Sequence, residues 1–347
     1  MKIKVKNHRG EEVEIKVGGE LRSHVKKEYN SESSSAVKRY LASEGVRLKD
    51  VFRALGVEDI KSVNARSLLE NDSTKPLFNA VVEDGLRMGF EKESKWQQLV
   101  AADIRSTQMT REYYELVEEG LDDEVQLRDI GQGAPIPVGT INIGDQSIKM
   151  HKRGRGIEWT DEAKSMNIDM VSLFLKKMGK RLGRDYENTA VYRLLNGYFA
   201  DGHDAAPTIG LKQANTLTLG DLFYAYKYMD QELGYDSKIM ICNLNVASQI
   251  AELKDGNGGY LFSKEMKDGN FPNLMNQDPF VSNLMPDNRI MFVDTSFALV
   301  RYYFKEFGVE FERSAKTQVE GSYGTEISEF VPFMKDARLI ITVDQAR

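Results

Sequence analysis

Residues 149–167, KMHKRGRGIEWTDEAKSMN, run five basic side chains and two glycines straight into a tryptophan and an acidic helix start. How this stretch is read decides the architecture, because the residues before it are extended and those after it are helical. Upstream, GQGAPIPVGTINIGDQSIKMHKRGRG (131–156) alternates polar and apolar residues in GTINIGD and QSIKMHKR, and Pro135 and Pro137 forbid helix. The pattern predicts a projecting two-stranded excursion, too polar for a core, with Gly154 and Gly156 loosening its return. Downstream, Thr160 is placed to cap a helix whose first turn holds Asp161 and Glu162, where the helix dipole favours carboxylates. Apolar residues at Ile168, Val171, Phe174, Leu175, Met178, Leu182, Tyr186, Ala190 and Leu194 then mark one sustained helical face, with Gly197 as its stop.

The flanks of this junction differ from each other. At the N-terminus, KIKVK and VEIKV alternate around NHRGEE and predict a hairpin; AVKRYLASEGVRLKDVFRALG has the spacing of short amphipathic helices. ENDSTKP (70–76) reads as a boundary, after which LFNAVVEDGLRMGF resumes as a helix. On the C-terminal side, TLTLGDLFYAYKYMDQELG starts a helix in which Thr218 and Asp221 have capping-box spacing. SKIMICN predicts a buried strand, NVASQIAEL a helix capped by an Asn, KDGNGGYLF a glycine-rich turn and RIMFVD another strand. FALVRYYFK, VEFERS, EISEFVPFM and ARLIITVD predict an antiparallel set that ends the chain.

Composition excludes several classes. The chain has 347 residues, 41% hydrophobic and 29% charged, enough for one large core or two smaller ones. A charged, alternating start and the lack of any long apolar run predict a soluble intracellular protein without signal peptide or membrane span. Cys242 is the single cysteine, so no intrachain disulfide forms, and its place in KIMICN predicts a buried small hydrophobe. The net charge is −6, yet residues 1–50 carry 12 Lys/Arg against 8 Asp/Glu, leaving −10 for the rest. Either a solvated surface or contact with something anionic accounts for that asymmetry.

Sites for chemistry are scarce. KKMGKRLGR lacks the spacing and hydroxyl of a phosphate-binding loop, the four histidines form no metal or triad pattern, and there is no G-x-S-x-G. DGNGG lacks the oxygen ligands of a calcium loop and reads as a turn. No catalytic, cofactor or metal residue is expected, and no enzyme. The cations of KRGRG suit either phosphates or the acidic EEGLDDE (118–124), and without an interleaved aromatic platform for bases the acidic surface is favoured.

Taken in order, APIPVGTINIGDQSIKMHKRGRGIEWTDEA, NTAVYRLLNG, TLTLGDLFYA, KIMICNLNVASQIAELKDGNGGYLF, NRIMFVDTSFALVRYYF, GVEFERS and ARLIITVD resemble the major capsid protein of tailed bacteriophages, the Hong Kong 97-type fold. The resemblance covers roughly residues 76–347 and implies an α+β chain. Its parts would be an N-terminal arm (76–120), an extended loop (121–160), and a peripheral domain (161–208 and 298–347) with a long spine helix. Residues 209–297 would be the axial domain, and residues 1–75 a retained extra segment or small domain. It implies self-assembly through hexamers and pentamers into an icosahedral head shell around double-stranded DNA, in a virion assembled in the host cytoplasm. Scaffolding, portal or decoration proteins would be further partners. Interface candidates are Ile141, Lys149, Lys152, Arg153, Arg155 and Trp159 on the loop, Asp122, Asp123 and Glu124 in the acidic stretch, and Tyr260, Phe262 and Phe271 at the axial edge. An encapsulin-type nanocompartment shell, holding cargo enzymes, is the alternative the same fold implies.

Overall fold

The computed structural model describes residues 2–29, 34–57, 95–117, 140–160, 168–255, 257–268, 273–275, 277–314 and 319–347, together with Leu77, Ala80, Val81 and Phe90. The boundary read at ENDSTKP, the acidic stretch 118–124 and the helix start at Asp161 and Glu162 lie outside the described residues.

The N-terminal hairpin forms as its alternation requires. β1 (Lys2–Lys6) and β2 (Glu12–Lys16) pair antiparallel with Ile3 opposite Ile15 and Val5 opposite Val13. Asn7 Oδ1 closes the turn by accepting from the backbone N–H of Arg9 and Glu11, both at 2.9 Å. Three helices follow: α1 (Gly19–Tyr29), α2 (Ser34–Ser43) and α3 (Leu48–Ala54). The first was not legible, because GELRSHVKKEY offers only Leu21 and Val25 as apolar markers, one turn apart. Both are fully buried, in a core of their own with Val5, Ile15, Tyr40, Leu41, Val51 and Phe52. Met178 and Phe307 from the rest of the chain pack against this core.

The excursion differs in register from its sequence reading. GTINIGD and QSIKMHKR are not its two arms: residues 140–149 form one strand, β5 (Thr140–Lys149), whose partner is β4 (Thr110–Val117). The next strand, β6 (His151–Thr160), leaves the ribbon and pairs along its whole length with β12 (Val319–Pro332). Thr160 is therefore a strand residue opposite Val319, not a helix cap. Nor are Gly154 and Gly156 hinges. A Cβ on Gly156 would fall inside the Tyr323 ring, and one on Gly154 would meet Thr325 and the Gly324 carbonyl at about 3 Å. They are glycines because the partner strand lies across them.

Beyond β6 the long helix, α4 (Ile168–Asn196), has 29 residues and runs about 43 Å. Tyr186, Ala190, Val191 and Leu194 are buried, Met178 and Leu182 partly so, and Gly197 ends the helix at φ +78°. Two sheets flank it. One has the order β3-β11-β12-β6, with β3 (Ala102–Arg105) parallel to β11 (Leu299–Ser314) and the other pairs antiparallel.

The second sheet has the order β7-β13-β10-β8-β9, from Thr208–Leu211, Arg338–Ala346, Arg289–Val293, Ile239–Cys242 and Asp278–Val281 respectively. Its β13 corrects the expectation of one terminal antiparallel set: ARLIITVD pairs antiparallel with β10 and parallel with β7. The reason lies in its composition, since six consecutive residues from Arg338 to Val343 are buried, as suits a central strand covered on both faces. Ile340, Met291 and Ile241 face α4, whereas Leu339, Ile341, Phe292 and Cys242 face α5 (Leu219–Gln231) and α6 (Leu244–Ala251). Burial pushes the Cys242 thiol up to about 12, which keeps it an inert hydrophobe. The first cap forms as read, Thr218 Oγ1 accepting from Asp221 N at 3.2 Å; the second is also an Asn, but Asn243 at the end of SKIMICN and not Asn245, its Oδ1 accepting from Val246 N at 2.8 Å. No helix among the described residues is long and apolar enough to cross a membrane.

Candidate functional site

The surface that sets this fold apart is the β4–β5 ribbon and the sheet from which it leaves. Val117 stands opposite Thr140, so the ribbon is still paired where the described residues stop. Its root is held by packing: Tyr113, Ile148 and Met150 are buried against Val300, Tyr302 and Val331 of the four-stranded sheet. Polar contacts fix it to the turn that ends α4. Tyr198 Oη accepts from Lys149 N at 2.9 Å, and Gln146 Nε2 donates to Asp201 Oδ2 at 2.6 Å. Tyr113 also meets Phe199 edge-on, ring centroids 4.8 Å apart. The root is thereby fastened to the body by packing and by hydrogen bonds.

The cations of KMHKRGRG divide between the subunit's own carboxylates and solvent. Glu329 on β12 is fully buried and accepts from Arg153 Nη2 at 3.1 and 3.2 Å and from Arg193 Nε at 3.2 Å; His151 Nδ1 lies 2.9 Å away. One carboxylate thus joins the strand after the ribbon to the spine helix, with charge-assisted bonds that satisfy it in a low dielectric. Arg155 lies 3.9 Å from Asp185 on α4, an exposed pair of small energetic weight. The expected pairing of these cations with EEGLDDE falls outside the described residues, and intrachain partners that the sequence did not suggest take up Arg153.

A second buried group lies one strand over. Arg301 on β11 donates through Nη1 to both oxygens of Asp103 at 2.9 Å and through Nη2 to Glu326 at 3.3 Å. Its guanidinium lies over Trp96 and Tyr186, 5.1 and 5.6 Å from their centroids. Burial raises the Glu326 carboxyl to about 7, opposed by the Ser328 hydroxyl and Arg153 and reinforced by Asp103 and Glu329. The folded state therefore holds a proton that the unfolded chain, at 4.5, gives up earlier, so this contribution to stability is full below pH 4.5 and fades as pH rises through 7. Melting temperature is expected to fall by several degrees between about pH 5 and 8, and Glu326→Gln should flatten that dependence. An unchanged slope in the variant would assign the dependence to other groups.

The remaining interface candidates separate. Lys149, Lys152, Arg155 and Tyr260 are exposed, and Lys254 Nζ sits 5.2 Å over the Tyr260 ring in the glycine turn. That turn forms as expected, Asp255 Oδ1 accepting from Asn257 and Gly259 N–H at 2.9 and 2.8 Å. Phe262 packs in part against its own sheet's core, which reduces what it can offer a neighbour. Ile141 pairs with Leu116 and Trp159 with Glu320 in register. Asp122, Asp123, Glu124 and Phe271 lie outside the described residues, as do the side chains of Ile141 and Trp159. The residues missed were Glu329, Arg301, Glu326 and Arg338. The available signal was a charge where the strand pattern calls for an apolar residue, as in ALVRYYF and DARLIITV. Among the described residues no group of three His, Cys, Asp or Glu is arranged to hold a metal.

Comparison with known proteins agrees with this architecture. No curated protein matches the sequence. Among solved structures, that named for Microbacterium phage Oxtober96 superposes with a TM-score of 0.54 at 13% identity, covering 72% of this chain and 91% of that one. The "Capsid of native GTA particle" superposes with 0.53 at 12%, covering 74% and 91%, and Mycobacterium phage Cain with 0.52 at 9%, covering 74% and 92%. At such identities the likeness is one of fold, and it confirms the α+β class of the phage capsid structures. The family model described as "Phage capsid protein" matches residues 144–329, more than half of the sequence and the whole span from β5 to the Glu326–Glu329 pair, so the chain belongs to the phage capsid protein family.

Proposed function

We propose that the protein is the building block of an icosahedral head shell, that it assembles with many copies of itself in the host cytoplasm, and that double-stranded DNA fills the shell. One observation carries the reading: the family match runs from within β5, at the ribbon's root, through β6 and the spine helix to β12. A two-stranded ribbon held to the body at its root suits contact with a second subunit. Each contact is modest, and a closed shell of many copies multiplies them. The axial edge around Tyr260 and the exposed Lys149, Lys152 and Arg155 are proposed as further subunit contacts. Hexamers, pentamers, a scaffold and a portal belong to the same reading. The phage family match favours it over the nanocompartment alternative.

Negative-stain electron microscopy with light scattering on the protein expressed alone tests the proposal. Uniform shells of tens of nanometres are expected, without enzyme cargo. A monodisperse monomer at every concentration, also after addition of a scaffold, would sink it.

A further inference from the structure

The first half of the spine helix carries a charge pattern that neither the core nor the ribbon uses. KKMGKRLGR places Lys176, Lys177, Lys180, Arg181 and Arg184 within nine residues, with no carboxylate before Asp185. At 3.6 residues per turn they share a face about 140° wide, opposite Leu182, Tyr186 and Ala190, which are turned to the interior. Lys176, Lys177, Arg181 and Arg184 are exposed, and none of the four has an ion-pair partner among the described residues. Among these four, Lys177/Arg181 and Arg181/Arg184 set like charges four and three residues apart, an arrangement that destabilises a helix. A polyanion laid along the face would reverse the sign of that contribution.

Cations elsewhere are interspersed with carboxylates, and several pair with them. In the N-terminal unit Lys2 and Lys4 face Glu14 and Glu12 across the hairpin, Arg53 pairs with Asp50, and Arg39 with Glu306. On β6, Arg153 is held by Glu329.

We propose that this stripe is the surface by which the subunit contacts duplex DNA, a reading that rests on the shell function proposed above. The stripe is about 12 Å long and runs beside several phosphates of a duplex, which carries one charge per ~1.7 Å of its axis. It contains no aromatic side chain to stack on a base, so the contact reads backbone charge without sequence preference. Beyond residue 50 the chain is acidic overall, and this carboxylate-free stripe is a local exception to that balance.

The test is fluorescence anisotropy of a labelled random-sequence duplex on the full chain, titrated from about 50 to about 200 mM salt. With four phosphate contacts the wild type is expected to lose about 100-fold in affinity over that range. The variant Lys176→Gln/Lys177→Gln/Arg181→Gln/Arg184→Gln should bind weakly, with nearly all of that salt dependence gone and a melting temperature equal to or above the wild type's. Should it fail to fold, the pair Lys176→Gln/Arg181→Gln should remove about half of the dependence, and the charge-keeping pair Lys176→Arg/Arg181→Lys none. An unchanged salt slope in the folded quadruple variant overturns the proposal. So does a variant that binds DNA normally but no longer forms shells, which would assign the stripe to a neighbouring subunit. Absence of shells from the wild type counts against the shell reading alone, since the salt slope is measured on the chain itself.

Discussion

Replacing residues 118–139 with Asn-Gly is expected to abolish shell formation and leave a folded subunit. Val117 and Thr140 are partners in the ladder, so a two-residue turn closes the ribbon at a point where the strands are already at hairpin distance. Everything that holds the root remains: Tyr113, Ile148 and Met150 keep their contacts with Val300, Tyr302 and Val331. Melting should therefore change little, whereas light scattering should show monomers or small rings in place of shells. Normal shells from this variant would mean that the ribbon is not the arm between subunits. A cut over 138–154, which the sequence reading of the hairpin suggests, would test nothing about assembly, because it removes Met150 and the first residues of β6 from the body.

Arg338→Met should produce the largest loss of stability. Arg338 is fully buried at the start of β13, where Nη1 donates to Leu194 O at 2.7 Å and Arg193 O at 3.3 Å, and Nη2 donates to Asp204 O. Leu194 O is an orphan carbonyl of the last turn of α4, the end at which the helix dipole attracts a cation, whereas Arg193 O also accepts from the Gly197 N–H at 2.9 Å. One side chain therefore ties the spine helix to an interior strand of the second sheet, and burial depresses its guanidinium to about 10. Truncation to Met takes the guanidinium donor from two buried carbonyls, Leu194 O and Asp204 O, each costing about 1–3 kcal/mol, while Arg193 O keeps the Gly197 N–H. A loss on the order of 5 kcal/mol lowers the melting temperature by roughly 10–20 °C in a domain of this size. Arg338→Lys should recover part of it, since an ammonium keeps the charge but not the fork that reaches both elements. A melting temperature within a few degrees of wild type for the Met variant would show that water replaces the guanidinium at no cost.

The periodic signals were sufficient for elements and local caps. Alternation predicted β1 and β2, and short apolar runs predicted β8 and β10; the 3.6-residue spacing predicted the spine helix; Thr218 and Asn243 cap as their side chains dictate. These features depend on neighbours within a few residues, and so they can be read along the chain. Partners distant in sequence could not be read. Whether GTINIGD pairs with QSIKMHKR or with TREYYELV is a choice between two plausible ladders, and it was settled by Ile148 and Met150 finding a core at Val300 and Val331.

What the sequence determined by itself was the succession of extended ribbon, long helix and α/β section, and with it the resemblance to capsid proteins, because order and periodicity survive without knowledge of contacts. Only the tertiary structure decided where the charges go. Arg153, Arg301 and Arg338 read as solvated or unexplained cations along the chain, yet each is bound to carboxylates or carbonyls 25 to 198 residues away. Burying a charge is costly unless its partner is supplied by folding, and only the fold shows that Glu329 stands opposite β6 and that the stripe from Lys176 to Arg184 is left facing outward.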